Sequence, residues 1–256
     1  MVDEHMKIVL GSPFDINIRL PNGAKPLRML WVPAGTFLMG SHENEEGRAY
    51  EDGLSFTATI SRGFWLGQYP ITQSQWVAVM NANPCSFRGE DHPVENVNWN
   101  EAIEFCERIN NSCTHLLPSG YKFNLPSQMQ REFACRAGSE KIFSIGDSLD
   151  DLLSHAWCRE NSNGTTHAVG EKTPNKWGFY DMLGNVLEWC YDAAEDYPMD
   201  SASDWVGKKV SSIRILRGGA WSLGCSPFNI RCSVSYFESP DKKGSDIGFR
   251  LCLSSV

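Results

Sequence analysis

No stretch of this sequence is apolar for anything near the ~20 residues that a membrane-spanning helix needs. Met1 to Lys7 has neither the basic nor the apolar region of a secretory leader. No run of Lys or Arg exceeds two residues, and the formal net charge is −8. A polybasic membrane patch and a sequence-independent nucleic-acid interface each need a basic face, so neither is expected, and the partner is not a nucleic acid. Phosphate-binding glycine loops, metalloprotease strings and serine-hydrolase elbows are missing as well. The nine cysteines, dispersed from Cys85 to Cys252, include no CxxC pair. An odd and scattered set reads as buried free thiols, not as a disulfide scaffold.

What is present is material for one aromatic-rich core. The chain has 256 residues, 41% of them hydrophobic, with nine Trp and thirteen Phe. That is enough to bury a sizeable interior without staples. Residues 1–27 are polar and read as an N-terminal lead-in; residues 28–256 read as the domain. Met29–Val32 and Thr36–Met39 flank Pro33-Ala34-Gly35, a hairpin signal. His42 to Asp52 is acidic and apolar-poor, a surface loop. Gly63–Gly67 reads as a strand. Thr72 with Gln75, Asn98 with Glu101 and Ser127 with Gln130 are three capping-box patterns that open helices. Ala102, Ile103, Phe105, Cys106 and Ile109 form an amphipathic stripe on the second, and the third stops near Gly138. From Ala137 to Ser212 periodicity fades and loop is expected. Ile213–Leu216 and Ile247–Leu253 read as strands. The class is α+β, with small antiparallel sheets, few helices and much irregular structure.

An ordered series of strings then carries a resemblance. It comprises Trp31–Gly40, Tyr69-Pro70-Ile71-Thr72-Gln73, His92-Pro93-Val94, Leu125-Pro126-Ser127, Ala134–Gly138, Pro174–Gly178, Tyr180–Trp189, Arg217-Gly218-Gly219 and Gly248-Phe249-Arg250. Over residues 28 to 253 the chain resembles the formylglycine-generating-enzyme (sulfatase-modifying factor) family. That resemblance implies an elaborated C-type-lectin fold. The string Ser127-Gln128-Met129-Gln130 departs from the more acidic family pattern.

Three functions are implied within such a family. A copper-dependent oxidase holds Cu(I) on two cysteines after Arg-Gly-Gly; here Cys225 and Cys232 lie seven apart and out of register. An iron-dependent sulfoxide synthase needs a preorganised His cluster, and the six His show no such spacing. No copper or iron is therefore expected, and the oxidase stays as the alternative. The third branch is the variable proteins of diversity-generating retroelements, the Treponema type. In these, template adenines are mutated, so asparagine codons never yield Gln, Glu, Lys, Met or Trp. Ser222 to Phe237 contains none of those five, a run expected by composition about one time in thirty. Its mix of Ser, Gly and aromatics, without a clean period, resembles a paratope.

The expected role is thus a non-catalytic ligand-binding protein. Its contacts fall at Ser222, Leu223, Gly224, Ser226, Phe228, Asn229, Ser235, Tyr236, Phe237, Glu238 and Ser239, with Phe228 and Tyr236 at the surface. Arg217 and Arg250 act as structural brackets, and Arg231 and its flanking cysteines as framework. The resemblance also implies a Ca2+ site at Asp181, Gly184, Val186 and Glu188. The competing reading has Glu188 paired with a buried Arg217 or Arg250. A second family Ca2+ position near Asn161 and Ser162 is not expected, because the loop that follows is short. The partner is an unknown protein or surface ligand, and a monomer is expected. The setting implied is a cell surface with the leader removed, or the cytoplasm if the chain is complete.

Overall fold

Two apolar strands meet Pro33 and part there. β2 (Leu27–Val32) and β3 (Gly35–Met39) do not pair with each other, so the expected hairpin is corrected. Pro33 has no N–H for a ladder, and the chain turns at Pro33-Ala34 from one sheet into another. The structure, a computed structural model, describes residues 8–16, 18, 20, 21, 23–48, 54–207 and 212–255.

β2 belongs to a five-stranded antiparallel sheet in the order β1 (Phe14–Ile16), β2, β5 (Phe64–Gly67), β12 (Cys252–Ser255), β6 (Tyr121–Asn124). The lead-in therefore contributes an edge strand, and Trp65 Nε1 donates to Ser12 O at 2.7 Å. Residues 1–7 of it lie outside the described residues. Side chains alternate across a strand, and both faces of this sheet are covered. Trp65 and Leu253 enter one core with Phe105, Trp189 and Phe249; Phe64, Leu66 and Cys252 enter the other with Met129 and Phe133. α1 (Gln73–Met80) and α2 (Trp99–Cys113) cover the first face, and α3 (Gln128–Arg136) covers the second.

All three expected caps form. Thr72 and Ser127 make reciprocal bonds with Gln75 and Gln130, and Asn98 does the same with Glu101 at 2.9 Å each way. α3 closes through Ala137 at φ 48° and Gly138 at φ 79°.

The 137–212 stretch is less irregular than its pattern implies. It holds α4 (Leu149–His155), β7 (Leu187–Ala193) and β8 (Ser201–Ser203). β7 is an inner strand of a four-stranded sheet ordered β10 (Ser235–Glu238), β9 (Arg214–Arg217), β7, β11 (Ile247–Phe249), with β11 parallel to β7. Six of its seven residues are buried, which erases the alternation that marks a half-exposed strand. β4 (Phe56–Ile60) joins β3 and β8 in the third sheet. The apolar Ile247–Leu253 run, expected as one strand, splits at Arg250-Leu251 into β11 and the start of β12. Among the described residues no helix is long and apolar enough to cross a membrane.

Candidate functional site

The segment from Arg217 to Arg250 is bracketed by two buried ionic triads, both fed by α3. A buried charge is tolerated only when paired and hydrogen-bonded. Glu132 accepts from Arg136 Nε at 2.8 Å, from Arg217 Nη2, and from Gly40 N at 2.9 Å. Arg217 Nη1 also donates to Ser233 O at 2.6 Å and Val234 O at 3.1 Å. Glu188 accepts from Arg131 Nε at 3.0 Å and from Arg250 Nε and Nη2 at 3.1 and 3.0 Å. Burial alone would raise the Glu188 carboxyl, but the two guanidiniums hold it below its ordinary value. The expected pairing of Glu188 with Arg250 is thus present, Arg131 joins it, and Arg217 goes to Glu132 instead. Gly218 and Gly219 sit at φ 99° and 79°, and a Cβ on Gly218 would lie 2.3 Å from Arg131 Nη2. These glycines let the backbone lie against the triad.

The Ca2+ expectation can be tested on these donors. Both Glu188 oxygens already hold guanidinium protons. Asp181 Oδ2 accepts from Gly170 N at 2.8 Å and Oδ1 from Asn185 Nδ2 at 3.3 Å, while Arg250 Nη2 takes Asp181 O. Burial pushes the Asp181 carboxyl up to about 6. Gly184 and Val186 stand beside them, Gly184 N donating to Gly218 O at 2.8 Å. A divalent cation needs free, hard, anionic oxygens. Two guanidiniums on Glu188 and the engaged oxygens of Asp181 do not fit one. Asn185 organises the loop instead, accepting from His167 N and donating to His167 O, both at 3.1 Å.

Between the brackets the chain divides by exposure. Ile230, Arg231, Cys232, Ser233 and Val234 are buried. All eleven expected contact residues on either side remain at least partly exposed. Phe228 is 69% and Phe237 42% accessible, and Tyr236 is half-buried. Tyr236 Oη donates to Asn229 O at 2.8 Å, which draws the two contact stretches together.

Neighbouring loops grip this surface mainly through its backbone. Arg159 donates to Ser222 O from Nε and Nη2 at 3.0 and 2.7 Å, and its N–H to Leu223 O at 2.9 Å. Cys225 N donates to Glu160 Oε2 at 2.7 Å. Arg231 Nη1 reaches Pro227 O at 2.6 Å and Gly47 O at 2.8 Å, and Arg231 Nε pairs with Glu45 at 2.9 Å. The described part of the acidic loop, His42 to Arg48, is therefore docked beside the site. Sequence reasoning missed the roles of Glu45, Arg159 and Glu160, and no local pattern signals them.

Cys158 and Cys225 form a disulfide with Cα atoms 5.7 Å apart, which corrects the free-thiol reading for those two. The other seven cysteines are free and buried. Cys232 Sγ lies 3.6 Å from Cys135 Sγ. Cys225 and Cys232 thus have different partners and present no dithiolate pair for Cu(I). His92 Nδ1 bonds Thr166 Oγ1 at 3.1 Å, and His167 stacks on Trp157 at 3.7 Å. Among the described residues no His belongs to a cluster of three potential metal ligands.

Comparison with known proteins agrees with this architecture. Residues 20–255 match the sulfatase-modifying factor enzyme 1-like domain. The chain is 29% identical to chaperone protein LppX of Paenibacillus barcinonensis, over 75% of this chain and 80% of that protein. It is 24% identical to the formylglycine-generating enzyme of Mus musculus, over 78% of this chain; the match spans about half, 53%, of that enzyme's length. The solved structure of Treponema denticola variable protein 1 superimposes with a TM-score of 0.82 at 28% identity, covering 94% of this chain and 98% of that one. The α+β fold is of the elaborated C-type-lectin type.

Proposed function

The chain belongs to the family of sulfatase-modifying factor enzyme 1-like domains, and from that premise we propose that it is a non-catalytic, ligand-binding member. Its contact surface is formed by residues 222–229 and 235–239. The observation that carries the reading is the division of exposure: eleven accessible residues flank a buried run at 230–234. Phe228 and Phe237 leave large apolar side chains in solvent, where they can serve as anchors that a partner covers. Ser222, Ser226, Asn229, Ser235 and Ser239 surround them with adaptable hydrogen-bonding groups, the composition of a paratope. The ligand is a protein or another surface-borne molecule, met at a cell surface. The likeness to a variable protein over nearly the whole length of both chains supports this reading.

The oxidase alternative needs two cysteines that converge on one metal, whereas Cys225 is bonded to Cys158 and Cys232 is buried beside Cys135. Stoichiometric Cu(I) binding that disappears in Cys225→Ser would overturn the non-catalytic reading. The variable-protein reading is tested on the encoding DNA. A near-copy of its own 3′ end should lie close by with a reverse-transcriptase gene, and mismatches between the copies should fall at template adenines within the codons of residues 222–239. A locus with neither feature sinks it.

A further inference from the structure

A second site lies away from this surface, where the five-stranded sheet emerges from beneath α3. On β6 and β12, Phe123 and Leu253 point into the core, so the register places Lys122, Asn124 and Ser254 on the opposite face. α3 covers that face only as far as Cys252. Beyond it the Ile60–Arg62 turn, Tyr191 and the Asp204–Val206 segment wall off a cleft of about 580 Å³. That volume suits a small organic ligand. The cleft shares no residue with the 222–239 surface.

Its hydrogen-bonding capacity leans toward donors. The amide and carboxylate acceptors along its wall are already engaged, and two serine hydroxyls, of Ser254 and Ser255, add groups that can donate or accept. Asn124 Oδ1 takes Leu125 N at 2.9 Å, and Gln130 Oε1 takes Ser127 N at 2.9 Å. Asp204, the one carboxylate among the described residues that line it, is held by Ser61 through N–H at 2.9 Å and through the hydroxyl. The donors are unspent: Arg62, Lys122, Asn124 Nδ2, Gln130 Nε2 and Tyr191 Oη have no partner among the described residues. Two free cations facing one cleft stand out in a chain of net charge −8. Tyr191, its ring tilted against Trp99 at 6.1 Å, is 42% exposed beside them.

We propose that this cleft binds an acceptor-rich organic anion, of the class of sugar acids and sugar phosphates. Arg62 and Lys122 take the charged group, and the amide and phenol donors take hydroxyl oxygens. Charge-assisted hydrogen bonds are the stronger kind, so the cations set affinity and the neutral donors set orientation.

The test is titration of the full chain with sodium glucuronate, glucose 6-phosphate and glucose, followed by calorimetry and by amide NMR shifts. The expected result is saturable binding of at least one anionic sugar at millimolar concentration, weakened by added salt, with no binding of glucose. Which anion binds decides between carboxylate and phosphate. Arg62→Ala and Lys122→Ala should each weaken it by about tenfold or more, and both side chains are exposed, so the variants fold. Lys176→Ala, an exposed lysine outside the cleft, should bind as the parent does. Failure of both anions to bind, equal binding of glucose, or undiminished binding by the Arg62→Ala/Lys122→Ala double variant overturns the proposal.

Discussion

Replacing Glu188 by Gln tests whether this buried carboxylate serves its arginines or a metal ion. The side chain is fully buried and receives three charge-assisted hydrogen bonds, one from Arg131 and two from Arg250, at 3.0–3.1 Å. A glutamine of the same shape keeps one acceptor oxygen and turns an amide N–H₂ toward the other guanidinium, donor against donor. Breaking a buried pair while leaving its partner charged costs about 3–5 kcal/mol. That is a large part of the roughly 5–15 kcal/mol that holds a domain folded. At about 2–4 °C per kcal/mol for a chain of this size, the midpoint should fall by roughly 10 °C. Urea denaturation gives the free energy and calorimetry the midpoint. Replacing Arg131, Glu188 and Arg250 together by Met removes the stranded charges and should recover part of the loss. Recovery stays partial because Gly67 O and Tyr180 O, each 2.8 Å from an Arg250 nitrogen, lose their donors. Adding EDTA to the parent should change nothing. A Glu188→Gln variant within about 1 kcal/mol of the parent refutes the ion-pair account. So does an EDTA-induced loss of stability in the parent that the variant lacks.

Three further outcomes follow from the same geometry. The Cys158–Cys225 bond spans 67 residues, for which chain-entropy accounting gives up to about 4 kcal/mol. Dithiothreitol and Cys158→Ser should therefore lower the urea-measured stability by the same amount, about 2–4 kcal/mol, without adding to each other; a reductant without effect contradicts the bond. Asp181 and Asp192 are fully buried, and burial pushes each carboxyl up from 3.8 to about 6. The native state then holds protons that the unfolded chain releases, so their contribution is greatest below about pH 4 and is lost as pH rises to about 6. Each accounts for a decline on the order of 2–3 kcal/mol, visible as a falling midpoint across that window and shallower in Asp181→Asn. Finally, Phe228→Ala and Phe237→Ala should each change stability by less than about 0.5 kcal/mol; a loss near that of a core phenylalanine would place those rings inside.

What could be read in advance was local or carried by the ordered motifs. The capping boxes at Thr72, Asn98 and Ser127 were legible because both partners lie within one turn. The Met29–Met39 hairpin failed because strand pairing is decided by distant partners: β2 pairs with β5, and β3 with β4. β7 was hidden by burial on both faces. Arg217 and Arg250 were legible as brackets, yet their carboxylates lie 85 and 62 positions away. Nothing in the spacing pairs Cys158 with Cys225, or Glu45 with Arg231, 186 positions apart. Sparse charge and broken periodicity marked residues 222–239 as a candidate surface, and the framework role expected of Arg231 matches the burial of 230–234 between two more exposed stretches. Even there Tyr236 is only half exposed, its hydroxyl turned back to Asn229 O.

The grip on the proposed contact surface has a consequence for how freely its sequence can be rewritten. Ser222 O, Leu223 O, Cys225 N, Pro227 O, Asn229 O, Ser233 O and Val234 O are main-chain atoms, and the groups that hold them belong to Arg159, Glu160, Arg231, Tyr236 and Arg217. Every residue type supplies a carbonyl, and every type but proline an N–H. The loop's course is thus encoded largely outside the positions proposed to meet a partner, Tyr236 excepted. The exposed side chains of Phe228 and Phe237 are the ones expected to be exchanged most freely while their Cα positions stay in place. A molecule built this way separates the memory of its shape from the alphabet written on it.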